Sequence, residues 1–117
     1  MSPDIAGQDD LFRSLGDPTR RQILDLLAEH GSLTVSEIAA HFPHLVRSGI
    51  SKHLMGLREQ DLVGATRQGR EQHYQINGEA MQRLLQPWVA KYERFWTVRL
   101  DRLKALAEAR ERQSTEE

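Results

Sequence analysis

The spacing of the apolar residues changes from a helical period to a strand-like period at Leu62. Before it, apolar residues recur at spacings of four, four and three, which places them on one face of a helix: Val46, Ile50, Leu54 and Leu57. After it, two segments with a period of two, 63–67 and 70–76, flank Gln68-Gly69 and predict a β-hairpin. The fold must therefore accommodate an amphipathic helix that is followed directly by a hairpin.

Two helices are predicted near the N-terminus. An amphipathic helix over about residues 8–15 is expected to end at Gly16. Asp17 and Pro18 then begin a second helix. An aspartate accepts hydrogen bonds from the first-turn amides, and proline at the first helical position removes no backbone hydrogen bond. Gly31 is expected to end this second helix.

A capping box predicts the start of a third helix. The hydroxyl of Thr34 and the carboxylate of Glu37, three residues later, satisfy two otherwise free backbone amides reciprocally. The helix is expected to include Phe42 and to end at Pro43, since an interior proline breaks the backbone hydrogen bonds.

A single long helical pattern extends from Glu79 to about Arg112, although Pro87 removes one backbone hydrogen bond. An apolar stripe follows one face of it: Val89, Tyr92, Trp96, Leu100, Leu103 and Ala107. A chain of 117 residues does not need so long an aromatic helix for its own core, so we expect a second copy to cover the stripe. The predicted dimerisation residues are Leu11, Phe12, Leu15, Val89, Tyr92, Trp96, Leu100 and Leu103.

The domain organisation follows from these elements and from the length. A chain of 117 residues is shorter than a typical domain pair, so we expect one domain over residues 1–112. Its dimerisation helices are expected at about residues 8–15 and 79–112, and residues 113–117 are expected to form a frayed tail.

Composition narrows the classes of function. The absence of cysteine excludes disulfides, thiolate nucleophiles and cysteine-ligated metals. The net charge of −1 argues against a protein that coats nucleic acid non-specifically, yet residues 40–75 hold five basic and three acidic side chains. No apolar run exceeds three residues and no signal peptide is visible, so we expect a cytoplasmic protein without a membrane partner.

The helix before Leu62 has a second face that is short-chained and basic: Ser48, Ser51, Lys52 and Met55, with Arg47 at the first turn. Such a face suits the major groove of DNA, where side chains must reach base edges and neutralise phosphates. Arg67 and Arg70 flank the glycine of the hairpin tip and are suited to contact the DNA backbone. The sequence therefore predicts a mainly α winged helix-turn-helix with a two-stranded wing and a long C-terminal dimerisation helix. The predicted DNA-binding residues are Arg47, Ser48, Ser51, Lys52, His53, Arg67 and Arg70.

Several segments also resemble one family. Residues 15–24, Leu-Gly-Asp-Pro-Thr-Arg-Arg-Gln-Ile-Leu, are similar to the opening of ArsR/SmtB-type regulators. Ser51-Lys52-His53-Leu54 resembles the recognition helix of that family, and Gly69-Arg70 resembles its wing. The aromatic segment 88–106 resembles a cysteine-free subgroup. The resemblance implies a homodimeric transcriptional repressor that binds an inverted repeat in double-stranded DNA.

Other classes of function find less support. No nucleophile elbow, phosphate loop or paired catalytic carboxylates are visible, so we expect no enzyme and no catalytic residues. His41 and His44 lack a third ligand nearby, so we expect neither a metal site nor a cofactor. His53 lies at the edge of the apolar face, where we expect a packed and hydrogen-bonded residue rather than a metal ligand or a titrating switch.

Two alternatives stay open. A winged helix that binds only proteins would share these patterns without reading DNA. Trp88, Tyr92 and Trp96, at helical spacing, could instead line a pocket for an unknown small-molecule effector between two subunits.

Overall fold

The computed structural model describes residues 5–116, which form five helices and three short strands. In chain order the elements are α1 (Ile5–Gly16), α2 (Pro18–His30), β1 (Leu33–Thr34), α3 (Val35–Ala39), α4 (Arg47–Glu59), β2 (Val63–Gln68), β3 (Glu71–Ile76) and α5 (Gly78–Glu116). This order confirms the mainly α winged helix-turn-helix fold. The chain divides into two compact units, Met1–Leu84 and Leu85–Glu117, and the second consists of the longer part of α5.

The core of the first unit is formed by apolar faces of α1 to α4, together with the start of the wing. Its fully buried side chains include Leu11, Ile23, Leu27, Ile38, Ile50, Leu54, Leu57, Leu62 and Val63. The predicted apolar face of α4 is thus confirmed at three of its four positions. Val46 was wrongly included, because it precedes the helix with extended backbone (φ −77°, ψ 150°) and is 70% exposed. A residue outside the helix does not follow the helical period.

The predicted helix caps are present. The Asp17 side chain accepts a hydrogen bond from the backbone N–H of Arg20, and Gly31 ends α2 with φ 82°. In the capping box, the backbone N–H of Glu37 donates to the Thr34 hydroxyl and the backbone N–H of Thr34 donates to the Glu37 carboxylate. The hydrogen bonds from the Thr34 backbone and side chain lower the pKa of the Glu37 carboxyl.

Helix α3 is shorter than predicted, since it ends at Ala39 rather than at Pro43. The amides of His41 and Phe42 donate to the carbonyls of Ile38 and Ala39, three residues earlier, which tightens the chain into turns. Phe42 is nevertheless buried, as expected of a core residue, although it lies outside the helix.

The end of α4 positions the wing. Asp61 has φ 63°, the Leu62 amide donates to the Leu57 carbonyl, and the Asp61 amide donates to the Arg58 carbonyl. These are the two hydrogen bonds of a Schellman motif, with aspartate in the left-handed position that glycine usually holds. Because Leu62 and Val63 are buried directly afterwards, the chain leaves α4 in a fixed direction.

The wing, residues 63–76, belongs to a three-stranded antiparallel sheet of order β1-β3-β2. In the β2–β3 hairpin Val63 pairs with Ile76 and Gln68 pairs with Glu71. Gly69 has φ 64° at the first position of the two-residue turn, where glycine is favoured. The third strand was not predicted, because the two residues of β1 are too few to show a period and pair with distant residues of β3.

Helix α5 begins as predicted and ends later. The Asn77 side chain accepts a hydrogen bond from the amide of Ala80 and so caps the helix. The helix contains Pro87 and continues to Glu116, whereas the sequence predicted a frayed tail from residue 113. Residues 111–113 are glutamate, arginine and glutamine, which are favourable helix formers, and no glycine or proline follows them.

Loss of the Thr34 hydroxyl should lower the stability of the fold. We expect Thr34→Val, which preserves volume and strand propensity, to reduce the free energy of unfolding by about 1 kcal/mol in urea titrations. The control Thr34→Ser retains the hydroxyl and should show a smaller decrease in the free energy of unfolding. In the wild type the ionised carboxylate of Glu37 stabilises the fold at pH values above its ordinary pKa of 4.5. This stabilisation is lost as the pH falls through the lowered pKa that Glu37 has in the folded state. Equal stability of the valine and serine variants at neutral pH would contradict this role.

Candidate nucleic-acid interface

Helix α4 presents one face to the core and the opposite face to solvent. The core face, Ile50, Leu54 and Leu57, is fully buried. The outer face of α4, defined as Ser48, Ser51, Lys52 and Met55, is exposed at every position. Met55 is 60% exposed and is suited to apolar contact, for example with a thymine methyl group. The predicted separation of the two faces is therefore present.

Arg47 and Arg70 line one cleft of about 110 Å³ between α3, the start of α4 and the wing. Arg47 is the first residue of α4 and Arg70 lies in the hairpin turn, and both side chains are exposed. The remaining lining residues are Thr34, Val35, Ser36, Glu71 and Gln72. The Glu71 carboxylate is 4.0 Å from the Nε2 atom of His73. The fold thus brings to one cleft two arginines that are 23 residues apart in sequence.

Arg67 lies near the end of β2, two residues before Gly69. Its Nε atom donates a hydrogen bond to the carbonyl of Gly69 at 3.3 Å, and its side chain is exposed. It does not line the cleft of Arg47 and Arg70. Arg47 and Arg70 therefore share the cleft, whereas Arg67 lies on the wing outside it.

His53 differs from the other predicted DNA-binding residues in α4. It is half-buried, and its Nδ1 atom accepts a hydrogen bond from the Nε atom of Arg20 at 3.3 Å. The expectation of a packed, hydrogen-bonded histidine is confirmed. Sequence reasoning missed Arg20 as its partner, since the two residues are 33 positions apart and no local pattern connects them.

The predicted dimerisation residues fall into two groups. Leu11 is fully buried within the single chain, and Phe12 and Leu15 are half-buried. In the second unit Tyr92, Trp96, Leu100 and Leu103 are 42–63% exposed, whereas Val89 is half-buried. Phe95, Val98 and Leu106 are also exposed and widen the apolar surface of this helix. Leu11 therefore supports the core and does not itself lie on a surface that a partner could contact.

No group of three or more histidine, aspartate or glutamate side chains within residues 5–116 could hold a metal ion. The rings of His30 and His41 lie 6.0 Å apart, and those of Trp88 and Tyr92 lie 5.1 Å apart. None of the helices in the described part of the chain is both long and apolar enough to cross a membrane.

Known proteins with similar sequence are transcriptional regulators. Residues 17–64 match the family described as bacterial regulatory protein, arsR family. YuzN of Bacillus subtilis (strain 168), an uncharacterized HTH-type transcriptional regulator, is 37% identical over 87 residues, which cover 70% of this chain and 95% of YuzN. The transcriptional repressor SdpR of the same strain is 38% identical over 72 residues, which cover 62% of this chain and 78% of SdpR.

A solved structure supports the same assignment. An ArsR-like transcriptional regulator from Rhodococcus sp. RHA1 is 28% identical and has a TM-score of 0.68, with 91% of this chain and 97% of that chain covered. The fold and the relatives together define a winged helix-turn-helix transcriptional regulator that binds DNA. The chain belongs to the ArsR family. That family and these relatives are transcriptional regulators, which confirms the prediction of a regulator rather than an enzyme.

Replacement of Lys52 should weaken sequence-specific binding. If Lys52 reads a base, Lys52→Ala should cost about 1–3 kcal/mol of binding free energy and relax discrimination at one position. Fluorescence anisotropy with duplexes selected from a randomised library would measure both effects. Lys91→Ala removes the same charge from α5 and serves as the control. Undiminished binding by a Ser51→Ala, Lys52→Ala double variant would exclude α4 from the interface.

Replacement of the wing arginines should reduce the salt dependence of binding. Arg67→Ala and Arg70→Ala should each lower the slope of log affinity against log salt by about one, because each lost phosphate contact retains one counterion. Gln68→Ala alters the same hairpin without removing charge and should leave the slope unchanged. An unchanged slope in the double arginine variant would show that the wing points away from DNA.

Proposed function

We propose that this protein binds an inverted-repeat operator as a homodimer and represses transcription by occupying it. The observation that carries this proposal is the exposed apolar surface of the second unit. It includes Tyr92, Phe95, Trp96, Val98, Leu100, Leu103 and Leu106. Contiguous apolar surfaces of this kind on one helix indicate a protein interface. Repression is supported by the relative SdpR, which is named a transcriptional repressor.

The arrangement of the apolar stripe favours a second copy of the same chain as the partner. Val89 and Ala107 are 18 residues apart, which equals five turns of a helix with 3.6 residues per turn. The stripe between them, with intermediate spacings of three and four residues, therefore follows one face without drifting around the helix. Such a straight stripe is suited to pair with its own copy across a two-fold axis.

The need for two copies also follows from DNA recognition. One recognition helix contacts only a few base pairs, and a symmetric pair reads two half-sites in opposite orientation. In the proposed complex the outer face of α4 enters the major groove, where Ser51 and Lys52 reach base edges. Arg47 and Arg70 would bind the phosphate backbone from their common cleft, and Arg67 would do so from the wing tip.

A carboxylate in the apolar stripe should prevent dimer formation. Trp96→Glu would place an unpaired charge in the proposed interface, which costs several kcal/mol. We expect sedimentation velocity to show a monomer, and anisotropy titration to show loss of binding to the selected duplex. Thr97→Glu adds the same charge one residue away, on an exposed position outside the stripe, and should preserve the dimer.

Two outcomes would contradict the proposal in different ways. A wild-type monomer at micromolar concentration that still protects a single site would exclude the dimer and leave the apolar surface for another ligand. A wild-type dimer that binds no duplex even at low salt would instead favour a module that binds only proteins.

A further inference from the structure

Arg20 reaches from α2 to the surface of α4. It is half-buried, and its Nε atom donates a hydrogen bond to Nδ1 of His53 at 3.3 Å. A guanidinium group has donors only, so Nδ1 is the unprotonated ring nitrogen in this contact. His53 thereby fixes the near end of the guanidinium and leaves the two terminal nitrogens of Arg20 available as donors.

Gly56 explains how this guanidinium fits against α4. A Cβ atom at position 56 would lie 2.7 Å from Nη2 and 3.2 Å from Nη1 of Arg20. The 2.7 Å distance is shorter than real Cβ contacts, so the guanidinium can keep this position on the backbone of the helix only beside a glycine. Glycine inside a helix is less favourable than alanine, and the close approach of Arg20 accounts for its presence here.

The contact lies beside the outer face of α4. Gly56 follows Lys52 by four residues, and residues at this spacing are neighbours in successive helical turns. The terminal nitrogens of Arg20 therefore lie about one turn from Lys52 along the helix. Any duplex that contacts Lys52 would pass close to the Arg20 guanidinium.

The charge of Arg20 has no counterion within the described part of the chain. No carboxylate among the described side chains lies within 4.0 Å of its guanidinium, and Asp17, three residues earlier, accepts from the Arg20 backbone amide. A partly buried cation is normally paired with an anion. The free donors beside a DNA-facing surface indicate that the anion is external.

We propose that Arg20 binds a phosphate of the DNA backbone beside the outer face of α4, with His53 and Gly56 as positioning residues. The terminal nitrogens supply the geometry and charge that suit a phosphate oxygen pair. This contact concerns each protomer separately, so it goes beyond the proposed homodimeric repressor and does not depend on dimer formation.

The salt dependence of DNA binding tests the proposal. Arg20→Gln should weaken binding of a fluorescein-labelled random-sequence duplex and of a selected duplex alike, by about tenfold or more. It should also lower the salt slope by about one. Arg21→Gln removes the neighbouring exposed charge of α2, whose Nη1 atom donates to the Leu15 carbonyl, and should leave the slope unchanged.

The variant Gly56→Ala distinguishes a DNA contact made by Arg20 from a merely structural role of the Arg20 side chain. The added Cβ displaces the flexible end of Arg20, while alanine favours the helix, so the free energy of unfolding should be unchanged or higher. The DNA affinity and the salt slope should nevertheless fall as they do in Arg20→Gln. A fall in stability with an unchanged slope in both variants would show that Arg20 only supports the fold, and would overturn the proposal.

Replacement of His53 tests its positioning role. His53→Leu removes the acceptor and should weaken binding, whereas His53→Asn places an amide oxygen near the Nδ1 position and should restore most of the affinity. Equal affinity of the leucine and asparagine variants would contradict the positioning role. Sedimentation of each variant establishes whether it stays in the wild-type assembly state, so failure of the dimer proposal is detected separately.

Discussion

Burial of the apolar face of α4 is the constraint on which the rest of this structure depends. Ile50, Leu54 and Leu57 are fully buried, and each such side chain contributes about 1.5–3 kcal/mol relative to an exposed position. Three anchors at spacings of four and three residues fix the rotation of the helix about its axis. Ser51 and Lys52 must then face solvent, so the packing that stabilises the fold also presents the surface that is suited to read DNA.

The wing depends on α4 through backbone geometry. The Schellman motif at Asp61 ends the helix and directs Leu62 into the core. Together they fix the direction in which β2 leaves α4. The positive φ of Gly69 then closes the hairpin in two residues and determines where Arg70 emerges. The cleft that Arg70 shares with Arg47 is consequently set by caps and turns, and not by attraction between the two like charges.

The sequence predicted those features that are encoded locally and missed those that depend on distant residues. Asp17 and the capping box of Thr34 act over three or four residues, so neighbouring residues in the sequence are enough to predict them. Strand β1, in contrast, is defined by its pairing with β3, and the contact of Arg20 with His53 joins two helices. The candidate site was predicted for the same reason only in part: exposure follows from helical period, whereas proximity and hydrogen bonding do not.

Pairing through the exposed aromatic surface would also change how DNA binding depends on protein concentration. Once one half-site is bound, the second recognition helix is held at a high effective concentration, so two weak contacts give a much stronger combined one. Because Trp96 and Leu100 are exposed in the single chain, pairing depends on protomer concentration and not on folding alone. Operator occupancy would then rise more steeply than in proportion to protein concentration. In this view the long α5 helix sets the concentration range for DNA binding, while α4 defines which sequence is bound and the wing adds contacts to the phosphate backbone.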